Sequence, residues 1–130
     1  MVTGGPTVLV VDDEPSLRLL CRVNLELEGY RVLDAGTLDH ARALLETEPI
    51  EVVILDVHVA GGDGRDLLDE LRASESTVRI AMLTGSADIS TGRFDAADAV
   101  IPKPFEPREL LAAVRELSQR TANLDSSSRA

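Results

Sequence analysis

Short apolar runs alternate with amphipathic stretches along the chain, and the two kinds of stretch predict different elements. Runs of Val, Ile and Leu bounded by polar residues are typical of strands buried on both faces. They predict five strands, at residues 7–11, 30–35, 51–56, 78–84 and 98–103. Apolar residues at helical spacing predict four helices, at residues 15–29, 37–48, 64–74 and 106–120. This alternation indicates an α/β fold with a doubly wound, five-stranded parallel sheet covered on both faces.

The first predicted helix has clear signals at both ends. Pro15 suits the first turn, where its missing amide is not needed, and Gly29 is the expected stop. Leu20, Val23 and Leu27 fall on one side of the helix, so we expect them to form its apolar face.

A fourth crossing helix must lie within residues 85–97, and the sequence there forms helices poorly. Gly92 and the β-branched Ile89 and Thr91 all lower helix propensity. We therefore predict a short and mobile fourth helix, with Phe94 as its one core anchor.

Composition and charge restrict the class of protein. With 130 residues the chain suits one domain, and 44% apolar against 2% aromatic residues means that the core is aliphatic. The net charge of −10 disfavours direct binding to nucleic acid or to an anionic membrane surface.

Location and domain limits follow from features at the chain's ends and from its cysteine content. A single cysteine, Cys21, permits no internal disulfide and fits a reducing compartment, where we expect it to be a small core residue. The sequence shows no apolar run long enough to span a membrane and no signal peptide, so we expect a cytoplasmic protein. The predicted division is one domain at residues 1–120 and a flexible polar tail at residues 121–130.

Polar residues follow the predicted strands at their carboxyl ends. Asp12 and Asp13 follow the first strand, Asp56 ends the third, Thr84 the fourth and Lys103 the fifth. In parallel sheets these ends share one edge, so three aspartates converge if the first and third strands are neighbours. Converging carboxylates repel one another, and a hard divalent cation resolves the conflict. The acid cluster therefore predicts a Mg²⁺ site.

Four stretches at these positions carry a resemblance to a known family. They are VLVVDDEPSLR, VVILDVHVAGGDG, AMLTGSA and IPKPFEPREL. Together and in this order they resemble the receiver domain of two-component response regulators, over roughly residues 6–119. The resemblance implies the flavodoxin-like (βα)5 receiver fold.

The resemblance also implies the chemistry of the site. Asp56 would accept a phosphoryl group from the phosphohistidine of a histidine kinase. Thr84 would bond one phosphoryl oxygen and Lys103 would pair with another. The peptide bond between Lys103 and Pro104 is one that is commonly cis in the family.

The implied Mg²⁺ ligands are the side chains of Asp13 and Asp56 and the backbone carbonyl of His58. Asp12 would act mainly through a metal-bound water. We expect no catalysis beyond the domain's own phosphorylation and dephosphorylation.

The chain also departs from the family pattern. Gly61 and Gly62 follow the acceptor where a Met-Pro-like pair is usual, so we expect a looser loop. His58, two residues past the acceptor, either shields an acyl phosphate or is an exposed imidazole without a role. Val100 stands where relatives have a Tyr or Phe whose ring changes rotamer, so an aromatic switch is absent there.

The implied partners are proteins. They are a sensor histidine kinase or phosphotransfer protein, a downstream target, and a second copy if the face around helices four and five pairs as in many relatives. No output domain follows in the sequence, so a stand-alone receiver is expected. The main alternative is a receiver-like binding module that works without phosphorylation. A haloacid-dehalogenase-like phosphatase fits less well, because His58 stands where that family needs a second acid.

Overall fold

The computed structural model describes the backbone of residues 5–129 and the side chains of residues 5–119. A five-stranded parallel sheet has the order β2-β1-β3-β6-β7, and a two-stranded hairpin, β4-β5, follows β3. The strands are β1 (Thr7–Val11), β2 (Arg31–Ala35), β3 (Val52–Asp56), β4 (His58–Val59), β5 (Gly62–Asp63), β6 (Arg79–Thr84) and β7 (Ala99–Pro102). The helices are α1 (Pro15–Leu27), α2 (Leu38–Thr47), α3 (Gly64–Ala73), α4 (Ser86–Ile89) and α5 (Pro107–Arg129). The predicted fold class is confirmed.

The core lies in two layers, one on each face of the sheet. Successive residues of a strand point to opposite faces, so Val8 and Val10 enter one layer and Leu9 and Val11 the other. The first layer packs against α1 and α5, and the second against α2 and α3. Because both faces are covered, the central strands are buried throughout, which explains their continuous apolar runs.

The register of the sheet brings the predicted polar residues to one edge. Val11 of β1 pairs with Leu55 of β3. Asp12 and Asp56 directly follow these two residues, so they lie side by side. On the other side of β3, Thr84 ends β6 and pairs with Pro102, which precedes Lys103. Strands β1 and β3 are the neighbours at which the strand order reverses, where α/β sheets bind their ligands.

The side of helix α1 that faces the core differs from the predicted one. Leu20, Val23 and Leu27 are exposed, whereas Cys21 and Leu25 are buried against the sheet. The helix is apolar on more than one side, so periodicity alone could not decide which side faces the core. Burial raises the pKa of the Cys21 thiol to about 11, as expected for a core residue and not for a reactive thiol.

The segment after β6 forms the short helix that its composition predicted, a single turn at Ser86–Ile89. Phe94 packs against the core layer under α2 and α3, but Ala97 packs there too, so Phe94 is not the only anchor. Mobility of this segment stays a prediction.

The last helix extends through Arg129 and so passes the predicted end at residue 120. Side chains from residue 120 onward, and residue 130 as a whole, lie outside the described residues, so the predicted flexibility of the tail is untested. In the part of the chain that is described, no helix has the length and apolar character needed to cross a membrane.

Candidate functional site

Four polar residues converge at the carboxyl edge of the sheet, and three of them are almost completely buried. Asp12 and Thr84 are 0% exposed and Asp56 is 6% exposed. Lys103 reaches over them from the end of β7, with a side chain that is 30% exposed. We call Asp12, Asp56, Thr84 and Lys103 the acid pocket. The sequence predicted this convergence, and the strand order produces it.

Lys103 joins the two carboxylates of the pocket. Its Nζ donates a hydrogen bond to Asp56 Oδ2 at 2.7 Å and lies 3.6 Å from Asp12 Oδ2. Its backbone N–H donates to the carbonyl of Thr84 at 2.8 Å, which fixes the start of the side chain. Burial acts to lower the pKa of Lys103, but the hydrogen bond and charge of Asp56 outweigh it and raise the pKa above its ordinary value. The ammonium is therefore charged and partly neutralises the two acids.

Asp12 is the more deeply buried of the two carboxylates in the pocket. Its Oδ1 accepts a hydrogen bond from the backbone N–H of Glu14 at 2.8 Å, whereas its Oδ2 is buried without a hydrogen-bond partner. Burial and the neighbouring Asp56 carboxylate raise the pKa of Asp12 to about 7. A buried oxygen without a partner, next to a second carboxylate, is a place where a cation would be stabilising.

Thr84 presents its hydroxyl at the same edge. Its Oγ1 donates a hydrogen bond to the carbonyl of Gly85 at 3.0 Å. Beside the pocket lies an open cleft of about 470 Å³, whose lining includes Glu14, Ser86 and Lys103. Lys103 is therefore shared between the acid pocket and this cleft.

The connection after Asp56 is held by a close backbone approach that was not among the sequence-based predictions. The N–H of Gly64 donates to the carbonyl of Val57 at 2.6 Å. A Cβ on Gly64 would lie 2.0 Å from the carbonyl oxygen of Asp56, so no larger residue fits without moving the backbone. The signal was present as the glycine in GGDG, directly before a predicted helix.

The loop after Asp56 forms regular structure, and the expected looseness from its glycines stays a prediction. The glycines do not leave it irregular, because His58 pairs with Asp63 and Val59 pairs with Gly62 in an antiparallel hairpin. Ala60 and Gly61 form its turn, with φ of 47° and 83°. The loop is a regular structure that holds its backbone close to the acid pocket.

The side chain of Asp13 and the backbone carbonyl of His58 were the other predicted metal ligands, and their role stays a prediction. Asp13 Oδ2 accepts a hydrogen bond from the backbone N–H of Ala60 at 2.8 Å. The His58 side chain is 72% exposed, and its Nε2 lies 2.9 Å from Asp88 Oδ1 on α4. Among the described residues, no group of three or more His, Cys, Asp or Glu side chains is arranged so that it could hold a metal ion.

The acid pocket nevertheless has the donor set that Mg²⁺ takes in proteins. Magnesium usually keeps several waters and binds one or two carboxylates together with phosphate oxygens. Asp12 and Asp56 supply two adjacent carboxylates, one with an unpartnered buried oxygen. The residues present therefore fit the ion, while the Oδ2 of the neighbouring Asp13 accepts the Ala60 amide.

The match to a protein family decides what kind of domain this is. Residues 8–115 match the family model of the response regulator receiver domain. The chain belongs to this family. It is thus a receiver domain of the kind found in two-component systems, and the resemblance of the sequence motifs is confirmed. Receiver domains generally bind Mg²⁺ for phosphorylation, which agrees with the donor set of the pocket.

Similar curated proteins are transcriptional regulators. The transcriptional regulatory protein AruR of Pseudomonas aeruginosa is 39% identical over 130 residues, which cover 94% of this chain and 53% of AruR. The phosphate regulon transcriptional regulatory protein PhoB of the same organism is 36% identical, over 94% of this chain and 56% of PhoB. The chain spans about half the length of these curated relatives.

Solved structures agree with the family. A CheY-like response regulator receiver domain protein from Methanospirillum hungatei matches with a TM-score of 0.83 and 30% identity, covering 92% of this chain and 98% of that one. NtrX from Brucella abortus matches with a TM-score of 0.88 and 28% identity, covering 96% of this chain and 29% of NtrX. The cis peptide bond expected between Lys103 and Pro104 is also present.

Proposed function

We propose that this receiver accepts a phosphoryl group on Asp56 from the phosphohistidine of a sensor histidine kinase or a phosphotransfer protein. The transfer depends on Mg²⁺ and changes a surface that contacts a downstream protein. The observation that carries the proposal is the 2.7 Å hydrogen bond between Lys103 Nζ and Asp56 Oδ2, beside a second buried carboxylate.

Asp56 is the proposed nucleophile because it ends a rigid, buried strand and keeps 6% of its surface exposed. One of its carboxylate oxygens attacks phosphorus, and the phosphorus–nitrogen bond of the donor breaks. The departing imidazole nitrogen keeps the bonding electron pair. Hydrolysis of the resulting acyl phosphate by water restores the carboxylate and releases inorganic phosphate.

Two groups of the pocket supply the positioning that phosphoryl transfer requires. The ammonium of Lys103, already beside Asp56, pairs with the charge of the incoming phosphoryl group. The hydroxyl of Thr84 can exchange its bond to Gly85 for one to a phosphoryl oxygen. Both act by placing positive charge or a donor where negative charge accumulates.

Asp12, Asp13 and Asp56, with the backbone carbonyl of His58, are the proposed holders of Mg²⁺. When bound, the ion supplies charge neutralisation for phosphoryl transfer. Asp12 and Asp56 contribute the unsatisfied negative charge of the pocket. Asp13 contributes a third carboxylate, whose Oδ2 accepts the Ala60 amide.

The proposed partners are proteins, as argued from charge. The net charge of −10 disfavours direct contact of this domain with nucleic acid or an anionic membrane. DNA binding by a longer protein containing this domain would be compatible with that. A cytoplasmic location and homodimer formation remain proposals, and family membership lends no support to the phosphatase alternative.

The test is the intact mass of the protein after incubation with acetyl phosphate, with and without Mg²⁺. Wild type should gain one phosphoryl group only when Mg²⁺ is present. Asp56→Asn should gain none, while Asp39→Asn, which alters an exposed acid on α2, should behave as wild type.

Absence of any gain in folded wild-type protein would contradict the proposal. It would favour the alternative of a receiver-like module that binds its partner without phosphorylation. Equal gain in wild type and Asp56→Asn would assign the chemistry to another residue.

A further inference from the structure

Helix α4 is a single turn and cannot fix its own position. It forms residues Ser86–Ile89, none of which is buried. A helix of this length has little internal stability, so its placement depends on contacts from neighbouring elements. In this molecule the contacts come from α3 and the hairpin that follows Asp56.

Arg65, in the first turn of α3, is only 7% exposed and contacts the segment that directly follows α4. Its Nη1 donates to Thr91 Oγ1 at 2.6 Å and to the carbonyl of Gly92 at 2.9 Å. Its guanidinium also lies 5.5 Å from the ring centroid of Phe94. One buried cation thus contacts the segment 91–94 that follows α4, and the exposed Arg93 of this segment adds ion pairs to Asp66 and Asp69 on α3.

The opposite side of the same guanidinium is anchored to the hairpin. Arg65 Nε donates to Asp63 Oδ1 at 3.0 Å and Nη2 donates to Asp63 Oδ2 at 2.9 Å, a bidentate pair. Asp63 also caps α3 by accepting the backbone N–H of Arg65 at 2.9 Å. The guanidinium is therefore fixed in direction and moves with Asp63.

Asp63 is in turn part of the structure that surrounds Asp56. It pairs with His58 across the hairpin, and the next residue, Gly64, packs against the carbonyl of Asp56. A second contact joins the same hairpin to α4, since His58 Nε2 lies 2.9 Å from Asp88 Oδ1. This second contact is largely exposed, so the buried arginine is the stronger of the two.

We propose that Arg65 is a positioning residue that couples the hairpin after Asp56 to α4 and residues 91–94. The structural basis is the juxtaposition of Asp63, Arg65, Thr91 and Gly92. The inference rests on the proposed function, because it concerns the consequence of phosphorylation. The turn of this hairpin is also tied to the acids, because Asp13 Oδ2 accepts the Ala60 amide; a shift of the hairpin on phosphorylation would reach Thr91 and Gly92 through Asp63 and Arg65.

The route does not involve β7. Val100 is an exposed aliphatic residue on that strand and has no ring whose rotamer could report on the pocket. Coupling through Arg65 assigns the response of α4 to the α3 side of the molecule instead.

The test combines intact mass with amide hydrogen exchange of peptides covering residues 86–94, before and after treatment with acetyl phosphate and Mg²⁺. In wild type, phosphorylation should change exchange in this segment by about fivefold or more, the lower end of typical coupling between sites. Arg65→Gln should gain the same single phosphoryl group and lose this exchange response.

Thr91→Val serves as the second variant in case Arg65→Gln does not fold. It removes one acceptor of Arg65 and leaves the pair with Asp63 intact, so a reduced exchange response is expected with normal phosphorylation. Arg42→Gln is the matched control, because it removes a bidentate pair to Glu70 on α3 without touching residues 91–94.

The outcomes separate the inference from the proposed function. Absence of mass gain in wild type overturns the proposed function and the inference with it. Normal mass gain with an unchanged segment 86–94 in wild type, or with a wild-type exchange response in both Arg65→Gln and Thr91→Val, overturns the inference alone.

Discussion

Replacing Asp12 with asparagine should make the metal-free protein more stable, although it removes a carboxylate from the acid pocket. The carboxylate is fully buried, its Oδ2 has no hydrogen-bond partner, and Asp56 lies beside it. The amide of the Asp12→Asn variant keeps an oxygen to accept the Glu14 N–H and offers an N–H that Asp56 can accept. The unfavourable burial of a second negative charge is removed.

The magnitude follows from the raised pKa of Asp12, which burial and Asp56 move from 3.8 to about 7. At about 1.4 kcal/mol per pKa unit, ionised Asp12 destabilises the folded state by about 4 kcal/mol at pH 8. Lys103, 3.6 Å away, is already included in that pKa. Asp12→Asn should recover much of this free energy of unfolding.

The pH dependence has a definite sign. Because the pKa is higher in the folded state, the folded protein binds the proton more tightly than the unfolded chain does. The stabilisation from this proton is complete below pH about 4 and is lost as pH rises to about 7. The advantage of Asp12→Asn should therefore fall from about 4 kcal/mol at pH 8 to about 2 kcal/mol at pH 5.

The assay is urea unfolding of wild type and Asp12→Asn at both pH values with divalent cations removed. Asp39→Asn, an exposed acid that is paired with Arg42, is the control and should stay close to wild type. An Asp12→Asn variant that is no more stable than wild type at pH 8 would show that the buried Asp12 charge does not destabilise the fold. So would an advantage that grows towards pH 5.

Three further changes test other parts of the structure. Gly64→Ala should lower the free energy of unfolding by about 3 kcal/mol because its Cβ would meet the Asp56 carbonyl, whereas Gly85→Ala, with room for a Cβ, should cost little; equal urea midpoints would contradict this. Lys103→Met should slow Mg²⁺-dependent phosphorylation by about 10²-fold, measured by mass against time, since it removes the cation beside Asp56; a wild-type rate would exclude that role. His58→Ala should lower the free energy of unfolding by less than about 1 kcal/mol because its pair with Asp88 is exposed, and a larger loss in urea unfolding would show that the contact is structural.

Much of the fold was predictable because strand patterns and strand-end chemistry are local features. The run EVVILD predicted both a buried strand and the acid at its end. Parallel pairing of β1 with β3 then brings Asp12 and Asp56 together. The short fourth helix was equally visible, since Gly92 and β-branched residues act on local backbone preferences.

Features that depend on tertiary contacts could not be predicted in the same way. The inward side of α1 was predicted wrongly, because apolar residues on several sides leave the choice to the packing partner. The hairpin after Asp56 needed a positive φ at Ala60, for which the residue type gives no warning.

The burial of Arg65 could not be inferred either, because its partners Thr91 and Gly92 are far along the chain. An arginine in the first turn of a helix looks like a surface residue in the sequence. Only the folded arrangement brings Asp63, Thr91 and Phe94 around it.

The central claim is that Asp56 carries the phosphoryl group, and the most direct measurement locates that group in the chain. Protein treated with acetyl phosphate and Mg²⁺ would be reduced with borohydride, which converts an aspartyl phosphate to homoserine, and then digested and sequenced by mass spectrometry. We expect homoserine at position 56 alone. Homoserine at position 12 or 13, or its absence from a protein that has gained a phosphoryl mass, would contradict it.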